Sequence, residues 1–275
     1  MEVYKESKHG ILYEAFRDKL NMDRPAWVVG KDYTAAPTCS TCHLSATPTQ
    51  GATHDVGERI SWTLRPAIST KLNMVVYDDL WKEDLPEGAA LPKKGEDVKA
   101  KDGKTRKVKE VLTWQQRRER MLDVCANCHA GGQVAGFYKQ FDEMVVLYND
   151  KFAKPATAIM NDLYQAKKLT AAPMDEKLEW TYYELWHHEG RRARHGASMS
   201  GPDYAWWHGI YEVAKNFYTH FIPEVRQVAG EPLASQLLDK YVYSQPGHAW
   251  VKGGMTKEEL QKIQEFYRQR YGTQK

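Results

Sequence analysis

The chain has 275 residues and a formal net charge of +3, so its length allows one large domain or two small ones and its charge gives no support to nucleic-acid binding. It has no run of 18 apolar residues, so the sequence predicts no membrane span, and the N-terminal MEVYKESKHG lacks the apolar segment of a secretory signal peptide. Nine Trp and sixteen Tyr are typical of either a stable core or the walls around a large flat cofactor.

The first part of the chain is predicted to be poor in long elements. Residues 1–20 predict a short amphipathic helix, and residues 21–70, rich in Pro, Thr and Gly, predict a loop with short helical turns. Residues 86–109 are Lys-rich and contain Asp102-Gly103, a dipeptide typical of hairpin turns. We expect this stretch to be a solvated surface excursion; the alternative is a docking patch for an acidic redox partner.

From Val111 onward the sequence predicts helices, because apolar side chains recur at helical spacing, and it predicts little β structure. The predicted helices are residues 112–124, a long helix through 137–148, a helix over about 175–195, one from about residue 202 to just before Pro223, and one starting at Thr256. Pro155 is expected to kink or break the second of these. Thr256 and Glu259 match a capping box.

Two short strings use every cysteine of the chain: CSTCH at residues 39–43 and CANCH at residues 125–129. A C-x-x-C-H string is typical of c-type haem attachment, in which two thiols bond to the haem and the adjacent His ligates the iron. The predicted attachment residues are Cys39, Cys42, Cys125 and Cys128, and the predicted proximal ligands are His43 and His129.

Three other uses of the cysteines are less consistent with the sequence. A four-cysteine zinc site is disfavoured because the gap between Cys42 and Cys125 is far longer than in a zinc ribbon. A thioredoxin-like pair needs a βαβ context, which the sequence does not predict. Two disulfides would leave both adjacent histidines unexplained. We therefore predict a mostly α fold, with helices and long loops packed around covalently bound haem c.

A haem with a second His ligand is a low-spin electron carrier, whereas an open position allows catalysis or gas binding. Eight histidines remain beyond the two proximal ones. The leading candidate axial ligands are His9, His54 and His208, followed by His195. Three of these candidates precede a Gly, which allows a flat ring to approach the backbone closely.

The other histidines are weaker candidates. At most one of His187 and His188 is expected to serve, because adjacent residues on a helix point in different directions. We expect His220 and His248 to be ordinary surface residues. The candidates still outnumber the sixth positions of two haems. Some are therefore structural, or they reach haems that this chain does not attach.

The longer strings ESKHGILYEAF, PAWVVGKDY, APTCSTCHLSATPTQGATHDVGERISWTLRP, RRERMLDVCANCHAGG and RRARHGASMSGPDYAWWHGIYEVAKNFY resemble the C-terminal part of the octahaem hydroxylamine oxidoreductase family. The resemblance covers roughly residues 1–230. It implies eight C-x-x-C-H motifs and a closely packed haem array, of which seven haems have two His ligands. One haem with an open iron position is catalytic.

By this resemblance the chain holds the last two attachment motifs, and the motif of the catalytic haem is expected upstream of Met1. The surplus histidines would then cap haems of the upstream part, and the chain alone is not expected to oxidise hydroxylamine. A periplasmic location, or another location outside the cytoplasm, is implied because haem c is normally attached there. In oxidising members a late tyrosine crosslinks to the catalytic haem of a neighbouring subunit in a trimer. Tyr204 is our candidate and Tyr211 the next, against an ordinary packed tyrosine.

Two functions follow as hypotheses. One is part of a hydroxylamine oxidoreductase-like enzyme that passes electrons between haems and acts on hydroxylamine or a related small nitrogen compound. The other is a stand-alone dihaem electron-transfer cytochrome c. The expected partners are a redox protein or a quinone-linked cytochrome, and copies of the chain in a homotrimer. We divide the sequence into a haem-binding region, 1–130, and a helical C-terminal region, 131–275, of the same multihaem domain.

Overall fold

A computed structural model of the chain describes residues 1–20, 23, 28–32 and 36–272. Its fold is mostly α, as predicted. The helices are α1 (Glu2–Lys5), α2 (Lys8–Ala15), α3 (Cys39–His43), α4 (Trp114–Ala126), α5 (Gly131–Tyr148), α6 (Lys154–Gln165), α7 (Lys177–Tyr183), α8 (Gly190–Ser198), α9 (Glu212–Asn216), α10 (Ile222–Ala229), α11 (Leu233–Leu238), α12 (Trp250–Gly253) and α13 (Lys257–Tyr271). Part of the expected loop over residues 21–70 lies outside the described residues.

Wider π-helical turns continue several of these helices. They are Asn149–Ala153, Glu184–Glu189, Asp203–Tyr211, Phe217–Phe221 and Asp239–Tyr243, and one 3-10 turn covers Arg17–Lys19. Such turns are rare and frequently lie at functional sites. Three of these segments carry histidines.

The predicted single helix over residues 1–20 is instead two short helices and a 3-10 turn. Ser7 separates α1 from α2, because its side chain accepts a hydrogen bond from the Gly10 N–H at 3.1 Å and donates one to the Tyr4 carbonyl at 2.6 Å. Gly10 is required there, since a Cβ atom at this position would lie 1.9 Å from the Tyr4 oxygen. The result is a tight α1–α2 corner.

A four-stranded antiparallel sheet was missed by the sequence prediction. It consists of β1 (Leu72–Tyr77), β2 (Lys82–Pro86), β3 (Asp97–Lys99) and β4 (Thr105–Leu112), in the order β2-β1-β4-β3. The hairpin turn at Asp102-Gly103 is confirmed: Gly103 has a φ of +84° and donates to the Ala100 carbonyl at 2.8 Å.

The helix predictions agree well with the structure. Thr113 caps α4 in a capping box with Gln116, and Thr256 caps α13 in the predicted box with Glu259. Pro155 lies in the first turn of α6, directly after a π-helical segment, so the expected kink or break takes the form of a change from α- to π-helical turns ahead of the proline. The helix predicted to end before Pro223 continues to Ala229, because this proline occupies the first turn of α10, where no intrahelical N–H is needed.

The chain forms two compact units. The first contains Met1–Asn149 and Tyr183–Asn216, with both cysteine motifs, the sheet and α8. The second contains Asp150–Tyr182 and Phe217–Lys275, and its core includes Phe152, Phe217 and Phe221. The division at residue 130 stays a prediction. Among the described helices, none has the length and apolar character needed to cross a membrane.

Candidate haem site

The first motif is a single capped turn. Thr38 and Thr41 form a capping box at the start of α3, with the Thr41 N–H donating to the Thr38 hydroxyl at 3.3 Å and the Thr38 N–H to the Thr41 hydroxyl at 3.0 Å. The buried Arg59 side chain then donates to the carbonyls of Cys42 at 3.0 Å and Ser45 at 2.8 Å. The backbone that carries the two thiols and His43 is thus held from both ends.

The surroundings of His43 favour a neutral imidazole ring with one free nitrogen. Its Nδ1–H donates to the Val56 carbonyl at 3.1 Å. Burial lowers the pKa of His43 below its usual value. A neutral imidazole that spends one nitrogen on a backbone carbonyl presents the lone pair of the other nitrogen, which is the arrangement found for most ligating histidines.

The second motif begins in the last turn of α4, which contains Cys125. The N–H groups of Cys128 and His129 donate to the Cys125 carbonyl at 3.1 and 2.9 Å, so the motif closes as one further turn. Gly30 lies against it with a φ of +83°, and a Cβ atom at this glycine would be 2.7 Å from the Asn127 side-chain oxygen. Only a glycine allows this loop to approach the motif so closely.

His9 lies beside His129, and its role as an axial ligand stays a prediction. The ring centroids are 5.9 Å apart with an interplanar angle of 42°. Burial lowers the pKa of His9, and the nearby His129 lowers it further. Metal–imidazole bonds are about 2 Å long, so two rings on opposite sides of one metal ion have centroids about 6 Å apart. The pair therefore fits one iron atom between the two rings.

The two motifs are tied to each other by Asp123, two residues before Cys125. Its carboxylate accepts hydrogen bonds from the hydroxyls of Thr47 and Thr49, both at 2.6 Å, and from the Gln50 side-chain amide at 2.5 Å. Burial, and next the neighbouring Cys125, raises the pKa of Cys42 to about 12. The hydrogen bonds of Asp123 therefore link the segment after the first motif to the start of the second.

The arrangement argues against the other uses of the cysteines. All four thiols are free, so none is in a disulfide. In the part of the chain that the structure describes, the one group of three or more potential metal-ligand residues is Asp175, Glu176 and Glu179, which contains no cysteine. The thiols thus do not converge on a four-cysteine zinc site.

The other candidate ligands lie apart from both motif histidines. His54 is exposed and lines an open cleft of about 420 Å³ with Met74 and Arg117. The Nδ1–H of His208 donates to Glu212 at 3.2 Å. Burial, helped by the nearby Arg191 and Arg194, lowers the pKa of His195 to about 4, which keeps this ring neutral. Among the described residues, none of these three rings faces another histidine.

The remaining histidines have local partners. His187 stacks on Tyr183 with centroids 4.4 Å apart, and His220 is exposed as expected. The expectation that His248 is a surface residue is wrong: it is 1% exposed. Its ring bonds to the Tyr218 hydroxyl and the Lys151 carbonyl, both at 2.8 Å, which satisfies both nitrogens inside the second unit.

The tyrosines considered for crosslinking make ordinary contacts in this chain. The Tyr204 hydroxyl donates to Glu2, and this bond, helped by burial, raises the pKa of Tyr204 to about 12. Tyr211 is half exposed and stacks on Trp207 with centroids 4.8 Å apart. Neither contact tests the crosslink.

Sequence reasoning missed the residues that support the motifs, namely Arg59 and Asp123. Both are charged residues in ordinary polar contexts, ERIS and LDVC. Their roles depend on hydrogen bonds to carbonyls and hydroxyls that are distant in sequence, and no local pattern shows this.

Known proteins provide a separate comparison. Residues 1–88, which include the first motif, match the family described as "Seven times multi-haem cytochrome CxxCH". The sequence matches none of the curated proteins. Covalently bound c-type haem is therefore the cofactor of this chain.

Solved structures show the same fold. A "hypothetical multiheme protein" is 24% identical, with a TM-score of 0.60 over 82% of this chain and 51% of that one. The "reducing HAO-like protein complex Kustc0457/Kustc0458" of Kuenenia stuttgartiensis is 18% identical, with a TM-score of 0.56 over 83% of this chain and 52% of that one. The chain spans about half the length of these multihaem proteins.

Proposed function

We propose that this chain is an electron-transferring part of a hydroxylamine oxidoreductase-like multihaem cytochrome. It attaches two haems, one at Cys39 and Cys42 and one at Cys125 and Cys128. The observation that carries the proposal is the His9–His129 pair, 5.9 Å apart, because this separation accommodates one iron with two imidazole ligands. Haem supplies a reversible one-electron couple when bound.

The protein residues then have separate roles. His43 and His129 are the proximal ligands, and His9 closes the second iron. Asp123 and its three donors keep the two motifs adjacent, which is what electron exchange between two haems requires. His54, His195 and His208 are proposed to cap haems attached by other parts of the assembly, since none of them faces a histidine of the described chain.

The proposed substrate class is hydroxylamine or a related small nitrogen compound. It rests on the long strings shared with the octahaem family, and the HAO-like solved structure is consistent with it. Tyr204 remains the candidate for a crosslink to a catalytic haem of another subunit, with Tyr211 second. We also propose that the protein works outside the cytoplasm, in the periplasm, where haem c is normally attached.

Two surfaces support the proposed partners. Residues 86–109 carry eight basic and four acidic side chains, a net charge of +4 in a chain of +3, and most of them are exposed around the β3–β4 hairpin. An acidic redox protein or quinone-linked cytochrome is the partner that this charge favours. Trp206, Trp207 and Tyr211 are each more than half exposed, an apolar surface suited to another copy in a homotrimer.

The test of this proposal is the covalent haem content. Co-expressed with a haem-c maturation system, the chain should gain the mass of two haems and retain both in denaturant. Replacing Cys125 and Cys128 with Ala should remove one haem and leave the other, because each motif uses its own two thiols. A mass equal to the bare polypeptide would contradict the proposal.

A further inference from the structure

Arg59 is a buried cation beside the first motif. Its side chain is 2% exposed, and its two terminal nitrogens donate to the carbonyls of Cys42 and Ser45 at 3.0 and 2.8 Å. Both acceptors are neutral, and the Nε–H has no hydrogen-bond partner. Because a guanidinium stays protonated in proteins, the site holds a full positive charge.

No described carboxylate forms an ion pair with this charge. Glu58 and Asp123 favour the charged form of Arg59, but Glu58 forms its ion pair with Arg120 and Asp123 bonds to hydroxyl and amide groups. The equally buried Arg117 is different, because it pairs with Asp84 at 2.8 Å. A buried charge without a counter-ion is expensive, so its retention next to a cofactor motif points to a role at that cofactor.

The charge of Arg59 lies beside the iron ligand of the first motif. Its guanidinium donates to the carbonyl of Cys42, the residue directly before His43, at 3.0 Å. A fixed positive charge this close disfavours additional positive charge on a metal bound to His43. Uptake of one electron converts ferric to ferrous iron and removes one positive charge, so a fixed cation nearby favours the reduced state.

The second motif has no equivalent feature. The carbonyl of Cys125 accepts two hydrogen bonds, and both come from backbone N–H groups. The side-chain amide of Asn127 donates to the carbonyls of Asp123 and Val124. Within the described residues, no guanidinium donates to a carbonyl of Cys125–His129. The two haem sites of this chain therefore differ in their fixed charge.

We propose that Arg59 is a positioning residue that raises the reduction potential of the haem at the first motif, through its buried charge and its hold on the Cys42 carbonyl. This inference rests on the proposed attachment of haem at that motif. A higher potential at the first motif would favour electron transfer from the second haem to the first, whichever haem is reduced first.

The test is a redox titration of the haem-loaded chain and its Arg59→Gln and Arg59→Lys variants, followed by absorbance with small redox mediators. In Arg59→Gln, the equilibrium constant for one-electron reduction of the first-motif haem should fall about tenfold, a shift of about 59 mV. The second-motif haem is the internal control and should not move. Proton NMR assigns each component, from contacts of the haem substituents with Cys39 and Cys42 or with Cys125 and Cys128.

Arg59→Lys distinguishes charge from shape. Lysine keeps the charge but not the two-pronged hydrogen bonding, so the equilibrium constant for one-electron reduction of the first-motif haem should stay within threefold of wild type, a shift of less than about 30 mV. Unchanged potentials in Arg59→Gln, equal shifts of both haems, or a loss in Arg59→Lys as large as in Arg59→Gln would each overturn the inference. The haem content of the wild type and of every variant is measured first by mass spectrometry. A wild-type chain without haem would contradict the proposed function and would not test the role of Arg59. If Arg59→Gln does not mature, Arg59→Met supplies the uncharged variant.

Discussion

His9 is held opposite His129 by two small neighbours in sequence. Ser7 starts α2 and bonds back to the Tyr4 carbonyl, while Gly10 lets that carbonyl pass within a distance that no side chain would tolerate. The His9 ring thus projects from a rigid corner and not from a free N-terminal segment. A ligand held this way loses little conformational entropy when it binds a metal.

We expect His9→Ala to open the sixth position of the second-motif iron. One of the two haems should change from low-spin to high-spin or become accessible to small ligands, and added imidazole should restore the low-spin spectrum. Electron paramagnetic resonance and absorbance spectra measure both effects. His220→Ala is the matched control, since His220 is exposed and lies in the second unit. An identical spectrum in His9→Ala would show that another group closes this iron.

At the residue scale, the motif residues were predictable because haem attachment requires two cysteines and a histidine at a fixed spacing. The glycines after His9, His195 and His208 were interpreted less well. They were expected to let the rings approach the backbone, but a Cβ atom at Gly196 would lie 2.4 Å from the Ala205 nitrogen and one at Gly209 would lie 2.6 Å from Ala193. These glycines allow two helical segments to cross closely, which depends on tertiary packing.

Helix α8 and the π-helical segment before it contain a carboxyl group that should make stability depend on pH. Burial raises the pKa of Glu189 to about 7. The nearby carboxylates of Glu212 and Glu184 raise it further, whereas the hydrogen bond from Asn216 and the charge of Arg192 lower it. The unfolded chain ionises near its usual 4.5. Between pH 4.5 and 7 the folded state binds more protons than the unfolded state. The free energy of unfolding therefore falls as the pH rises through this range, and Glu189 causes no further change above pH 7.

Glu189→Gln should therefore stabilise the protein at pH 8, by up to about 3 kcal/mol at ~1.4 kcal/mol per pKa unit, and much less at pH 4.5. Denaturant unfolding of the haem-loaded protein at the two pH values measures the difference. Glu119→Gln is the control, because Glu119 is an exposed carboxyl on α4 that does not act on Glu189. Equal stabilisation at both pH values would mean that Glu189 is not protonated in the folded protein.

At the element scale, helices with local caps were predictable and the sheet was not. Thr256 with Glu259 and Pro155 are signals contained within a few residues. The strands depend on distant pairing: Leu72 lies opposite Pro86, and Met74 lies opposite Leu112. Strand β4 also carries four basic or acidic side chains, which interrupts the alternation expected of a half-buried strand. Only its turn at Asp102-Gly103 was visible locally.

For the molecule as a whole, the count of histidines distinguishes part of a larger assembly from a self-sufficient cytochrome. All ten histidines lie within the described residues. Two are proximal ligands, and His9 faces His129. No ring of the other seven contacts His43, whose Nδ1–H donates to the Val56 carbonyl. The structure therefore places a second histidine ring beside His129 and none in contact with His43.

The last prediction follows from this asymmetry. The loaded 275-residue chain should have one iron closed by His9 and one iron, at the first motif, whose sixth position is exchangeable. Titration with imidazole should give one binding event per chain in wild type and two in His9→Ala, counted from the low-spin absorbance change. A stand-alone dihaem cytochrome would supply both distal ligands itself and bind no imidazole in wild type. That result would contradict the open sixth position predicted here for the haem at the first motif.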